Sequence, residues 1–126
     1  MLKVLKGIID PQDPDQKSAR RGILLGYKEG GAIFVAPCTT YFERTGRVPP
    51  GHVLLNEKNC PSFSKTGFDK REILINIRDA FCAAPNSKWV AAAEEVGFLD
   101  LKSAPRVRDL IGQCLREFPP RAMVYQ

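Results

Sequence analysis

The sequence predicts a mainly β fold with an added helix: a small antiparallel barrel of short strands and a C-terminal α-helix. Short apolar runs recur along the chain, separated by turns that contain glycine and proline, as in small all-β domains. Two of these runs flank Gly30-Gly31, where paired glycines supply the positive φ that a tight antiparallel connection needs. Near the C-terminus, Val107, Leu110, Ile111, Cys114, Leu115 and Phe118 fall on one stripe of a helix. Strands, turns and one amphipathic helix then pack most simply as a barrel with the helix against it.

The elements follow in order. Residues 4–9 form a first strand. Residues 10–18 contain Pro11, Pro14 and three aspartates, which exclude a helix or a central strand, so this is a loop. Residues 23–27 form a second strand and 32–36 a third, antiparallel to it. Pro37 lacks a ladder donor, so the third strand ends there or becomes an edge. Residues 41–51 read as a loop, 52–55 as a fourth strand and 56–70 as a polar connection broken by Pro61 and Gly67. The β-branched run 73–77 is a fifth strand that extends toward Phe81. Residues 87–101 admit two readings: a helical turn around Ala91–Glu95, or a strand through Val96–Leu99. In the last segment Ser103 is the candidate N-cap, Pro105 suits the first turn and Pro119-Pro120 ends the helix.

Composition narrows the classes. A chain of 126 residues is most simply a single domain, 1–126, long enough to bury a core without a metal or disulfide. Its net charge of +5 suits an anionic partner such as nucleic acid. Cys38, Cys60, Cys82 and Cys114 form no Cys-x-x-Cys pair, and His52 is the only histidine. This spacing argues against a zinc site, and three of the four sit inside apolar stretches as small core residues. No apolar run has the length of a membrane span and no signal peptide is legible. The expectation is a cytoplasmic protein with free thiols, no metal and no cofactor.

The chemistry centres on Ile33–Tyr41, where an apolar run stops at Pro37 and is followed by Thr39-Thr40. Hydroxyls at a strand end stand over a packed scaffold, where binding groups are commonly held. Arg20-Arg21 precedes the neighbouring apolar run Ile23-Leu24-Leu25. Arginine at one strand start and threonine at an adjacent strand end would converge on a phosphate.

This order of parts resembles the MazF/PemK toxins, the endoribonuclease half of bacterial toxin–antitoxin pairs. The residues that carry the likeness are Gly7 with the Asp/Pro loop after it, Arg21-Gly22-Ile23-Leu24-Leu25, Val35-Ala36-Pro37-Cys38-Thr39-Thr40, His52-Val53-Leu54-Leu55, Thr66-Gly67-Phe68, Gly97-Phe98-Leu99 and the terminal helix. The likeness is topological over most of the chain and sharp at Arg21 and Thr39-Thr40. It implies a Src-homology-3-like β-barrel and metal-independent cleavage of single-stranded RNA. Arg21, Thr39 and Thr40 would then be catalytic, and the partners would be RNA, an antitoxin protein and a second copy in a homodimer. The chain departs from the family where Gly22 follows Arg21 in place of proline. It departs again where Ile75-Asn76 stands at a position that often carries an acid. Asp79 offers a carboxylate nearby, though a small register shift would send it to the other sheet face.

Further candidates surround this pair. Arg20, Arg44, Arg47, Lys65 and Arg78 are candidate RNA contacts, as is Tyr41, which would stack on an unpaired base. Lys70 and Arg71 would extend a phosphate track, and Phe42, Phe63 and Phe68 are further aromatics in loops. His52 has a side chain whose ordinary pKa, about 6.5, suits proton transfer near neutral pH, but no motif supports it. The bland readings are a strand-end turn for the threonines, a surface charge for Arg21 and a solvated face for the basic loops. The alternative function is a non-catalytic nucleic-acid- or protein-binding module on the same barrel.

Overall fold

A computed structural model describes residues 1–13, 16, 18–40 and 45–126. Its strands are β1 (Leu2–Ile8), β2 (Arg20–Tyr27), β3 (Ile33–Thr39), β4 (His52–Asn56), β5 (Glu72–Asn76), β6 (Phe81–Ala83), β7 (Glu94–Leu99) and β8 (Val124–Tyr125). The C-terminal helix α1 spans Pro105–Glu117. The sheet runs β4-β5-β3-β2-β1-β7, with β6 pairing β3 and β8 pairing β6. All pairings along the main path are antiparallel, and only the short β6–β8 contact is parallel. The sheet curls into a half-barrel. Among the described residues, its end strands β4 and β7 do not pair with each other. No described helix is long and apolar enough to cross a membrane.

The strand sequences look continuously apolar because β1–β3 are buried on both faces. Val4, Ile23 and Ala36 face one cluster, which also takes Val53 and Leu55 of β4, Ile73 and Ile75 of β5 and Val107, Ile111 and Cys114 of α1. Their neighbours Leu5, Leu24 and Val35 face a second cluster with Phe81, Ala83 and Val90, covered by Trp89 and Tyr125. Successive side chains on a strand point to opposite faces, so one run supplies both cores. In β1 the turnover is assisted by a register irregularity between Leu5 and Ile8. Gly7 lies there at φ +84°, and a Cβ would come within 2.4 Å of the Ala92 carbonyl oxygen. Both the conformation and the close approach require glycine.

The structure corrects several boundaries. β2 begins at Arg20, so both arginines belong to the strand. β3 continues through Pro37 to Thr39 and is neither terminated nor placed at an edge by the proline. On the side away from β2, Ile33–Val35 pair with β6 and Cys38–Thr39 pair with β5. Ala36 and Pro37 fall between those partners, so the missing N–H coincides with a gap in the ladder. β5 stops at Asn76 and does not run on to Phe81, because Asn76 and Asp79 close a turn. The Asn76 Oδ1 accepts the Asp79 N–H at 3.0 Å, and Asn76 Nδ2 donates to Asp79 Oδ2 at 3.1 Å. Between residues 87 and 101 the strand reading holds from Glu94, while Ser87–Ala93 form turns.

Helix α1 packs its predicted stripe inward, with Val107, Ile111 and Cys114 buried, and Pro105 begins it as expected. Ser103 is not its cap. The Ser103 hydroxyl donates to the Asp100 carbonyl at 3.1 Å, and Ala104 occupies the cap position. All four cysteines are free and buried. The terminal strand β8 was not legible in the sequence. It is two residues long and depends on pairing with β6.

Candidate functional site

The sheet register brings the start of β2 and the end of β3 together. Gly22 lies opposite Pro37, so Arg20 and Arg21 extend beside Cys38, Thr39 and Thr40. On the other edge Cys38 faces Ile75 and Thr39 faces Leu74, while His52 of β4 faces Asn76. Two concavities open at this junction. One, of about 290 Å³, is lined by Arg20, Arg21, Thr39, Thr40, Phe68 and Asp69, with a floor that includes Ile73. The other, of about 250 Å³, is lined by Arg20, Thr39, Pro37, Pro49, His52 and Asn76. Arg20, Cys38 and Thr39 form the wall they share.

The two arginines are held differently. Arg20 Nη2 lies 2.8 Å from Asp13 Oδ2, a length typical of a charge-assisted hydrogen bond. Arg21 Nη1 is 3.7 Å from Asp69 Oδ1, whose side chain is 68% exposed. An exposed pair of that length contributes little to stability, at most about 1 kcal/mol. Among the described residues, the buried Arg21 Nε has no hydrogen-bond partner. Its Nη1 pair with the exposed Asp69 is long, so the Arg21 guanidinium could exchange that partner for a ligand acceptor. A phosphate would take such a contact, with threonine hydroxyls donating to its other oxygens.

The remaining groups limit the chemistry. Burial pushes the Cys38 thiol far up from its ordinary value, which leaves it protonated and unreactive. Asn76 carries an amide, and that amide is engaged with Asp79. Asp79 is itself tied in through its carbonyl, which accepts from Gln12 Nε2 at 2.7 Å. Burial raises the Asp10 carboxyl above its usual range, and Asp13 and Asp79 add to the rise. The Gln12 N–H and Arg20 oppose it. His52 Nδ1 is 3.1 Å from the Pro50 carbonyl oxygen. Among the described residues, no group of three or more His, Cys, Asp or Glu is arranged to hold a metal ion.

Arg20, Arg21, Thr39 and Thr40 thus share one concavity. Arg47, Lys65 and Arg78 are exposed and do not line either concavity. Arg78 instead lies over the Phe118 ring, 5.5 Å from its centroid. Tyr41, Phe42 and Arg44 fall outside the described residues. Phe63 is buried and stacks on Phe68 with centroids 6.2 Å apart, so it is a core residue and not a base platform. Lys70 and Arg71 line a larger groove of about 820 Å³, which Phe68 and Asp69 connect to the Arg21 concavity. The sequence reading missed Asp69 and Asp13 as partners of the arginines. Neither has a local signal, because each reaches its arginine only through the fold.

No protein-family model matches this chain, and no curated protein matches it.

Proposed function

We propose that the chain is an endoribonuclease that cleaves single-stranded RNA, as its resemblance to the MazF/PemK toxins implies, on a Src-homology-3-like barrel. The observation that best supports this reading is the single concavity shared by Arg20, Arg21, Thr39 and Thr40, where the Arg21 guanidinium makes a loose 3.7 Å pair with Asp69. In the reaction the 2′-hydroxyl oxygen attacks phosphorus, the bond to the leaving oxygen breaks, and a cyclic phosphate results. Arg21 would stabilise charge on the phosphorane, and Thr39 or Thr40 would donate to a non-bridging oxygen. Arg20, Tyr41, Arg44, Arg47, Lys65 and Arg78 remain candidates for contacts along the RNA. An antitoxin protein, a homodimer and a cytoplasmic setting belong to the same proposal. The test is incubation of purified protein with long single-stranded RNA in the presence of a chelator. Cleavage that Arg21→Ala abolishes is the expected result. Intact RNA with the wild type, or equal cleavage by the variant, would overturn the reading.

A second reading is a non-catalytic binding module. It is favoured by Asp69, the carboxylate that lines the Arg21 concavity, because that group already faces the Arg21 guanidinium. Such a protein would bind RNA or a protein without processing it. If RNA binding falls with salt yet survives Arg21→Ala, the basic loops are the contact surface.

A further inference from the structure

We infer that Gln12 and Arg121 are positioning residues that hold Asp13 on Arg20 and so withhold Arg20 from an anionic ligand, a role that rests on the reading of the concavity as an RNA site. The Asp13 carboxylate lies 2.8 Å from Arg20 Nη2, and Arg20 lines both concavities. At that distance the carboxylate accepts from an N–H that a phosphate oxygen would otherwise use. A ligand that needs this N–H binds only the molecules in which the pair is open, so its apparent affinity is reduced by that fraction.

Gln12 is the junction of the contacts that keep the pair closed. Its Oε1 accepts from Arg121 Nη1 at 2.8 Å, and its Nε2 donates to the Asp79 carbonyl at 2.7 Å. Arginine only donates and a carbonyl only accepts, so the orientation of this amide is settled. The Gln12 N–H donates to Asp10 Oδ1 at 2.9 Å, and the Asp13 N–H donates to the Asp10 carbonyl at 3.2 Å. Asp10 is buried, and its own N–H donates to Gln16 Oε1 at 2.8 Å. The carboxylate on Arg20 is therefore one residue from a side chain tied at both ends.

Neither outer partner of Gln12 is a free end. Asp79 belongs to the turn that Asn76 closes. Arg121 lies between α1 and β8, and its carbonyl accepts from Lys28 Nζ at 3.3 Å. Beyond it, the Tyr125 carbonyl accepts from the Ala84 N–H at 2.8 Å. The Tyr125 ring meets Phe81 and Trp89, each with centroids 6.1 Å away. The C-terminal segment is thus anchored in the second core and reaches back from there to the connection before β2.

The test is a binding cycle with single-stranded 2′-O-methyl RNA, which lacks the attacking hydroxyl and stays intact. Affinity is read by fluorescence anisotropy at low salt, with circular dichroism to establish folding. Gln12→Ala leaves the net charge unchanged, so general electrostatics cannot produce a gain. A hydrogen bond corresponds to about 2–10-fold in an equilibrium, and Gln12→Ala should tighten binding on that scale. Asp13→Asn should tighten it too, and adding Gln12→Ala to Asp13→Asn should bring no further gain, because both act through one contact. Arg121→Gln should also tighten binding, although loss of a cation alone would weaken it. Unchanged or weaker binding by Gln12→Ala or Arg121→Gln, or additive gains in the double variant, would overturn the role; if the wild type still cleaves unmodified RNA, the ribonuclease reading stands. If the wild type neither binds the 2′-O-methyl RNA nor cleaves unmodified RNA, both fail. Hydrogen exchange in the wild type decides where variants do not fold. RNA binding should speed exchange at the Gln12 and Asp13 amides, and unchanged or slower exchange there would overturn the role.

Discussion

The two concavities at the end of β3 share a wall but differ in what their open sides carry. On the Arg21 side stand a guanidinium loosely paired with an exposed carboxylate, and a second threonine. On the His52 side stand an imidazole and an amide, both already oriented by hydrogen bonds. The charged side is built from residues at the start of one strand and from a loop, and its Arg21–Asp69 pair is long, with an exposed carboxylate. The neutral side is built from paired strands, β4 and β5, so its groups are fixed. The difference teaches that one strand end can carry a charged surface and a separate, pre-oriented polar surface.

The largest effect that would break this comparison is expected from Arg21→Ala. Loss of one donor to developing charge typically costs about 10²–10³-fold in rate, so RNA cleavage should fall on that scale. Arg20→Ala should cost less, because Arg20 is already committed to Asp13. Equal losses from the two variants would show that the two sides are not chemically distinct.

Replacing each threonine by valine sharpens the Arg21 side. A hydrogen bond contributes about 0.5–1.5 kcal/mol, so the variant at the contacting threonine should lose up to roughly tenfold in rate. Side chains alternate along β2 and β3, so Thr40 follows the face of Cys38 and Arg21 that of Ile23, while Thr39 follows the opposite face; Thr40→Val is therefore expected to be the more damaging. The reverse order in single-turnover assays would place the phosphate nearer the shared wall.

Asp69→Asn should change thermal stability by no more than about 1 kcal/mol, the usual limit for an exposed ion pair. It should also tighten binding of single-stranded RNA at low salt, since Arg21 loses its competing partner. Unchanged affinity would mean that the pair does not compete with ligand.

The smallest effect concerns Asp10, beside Arg20. Burial raises its folded-state pKa, with Asp13 and Asp79 adding and the Gln12 N–H and Arg20 opposing. A raised carboxyl pKa means that the fold prefers the protonated form. That contribution is complete below the unfolded-state value, about 3.9, and is lost as pH rises through the folded-state value. Urea midpoints of Asp10→Asn minus wild type should therefore increase across that window. A constant difference would remove the role of burial.

Much of the strand pattern was legible because burial on both faces leaves continuous apolar runs, as in Ile23-Leu24-Leu25. The stripe of α1 was legible for the related reason that one helix face meets one core. Pro37 misled, because a proline interrupts a ladder only where a partner exists, and β3 changes partner at that point. Asn76 misled in the same way, since the turn it closes depends on Asp79. Of the candidate site, the neighbourhood of Arg21 with Thr39 and Thr40 was legible from strand order. The partners Asp13 and Asp69 were not.

By itself the sequence determined a mainly β chain with a packed C-terminal helix, buried cysteines and hydroxyls near an arginine pair. These follow from side-chain periodicity and local turn chemistry, which each residue carries with it. Only the tertiary structure decided that Arg20 is tightly paired and Arg21 loosely, that β3 survives its proline, and that His52 lines a concavity with Thr39. Those outcomes depend on strand register, and register is set by contacts between segments far apart in the chain.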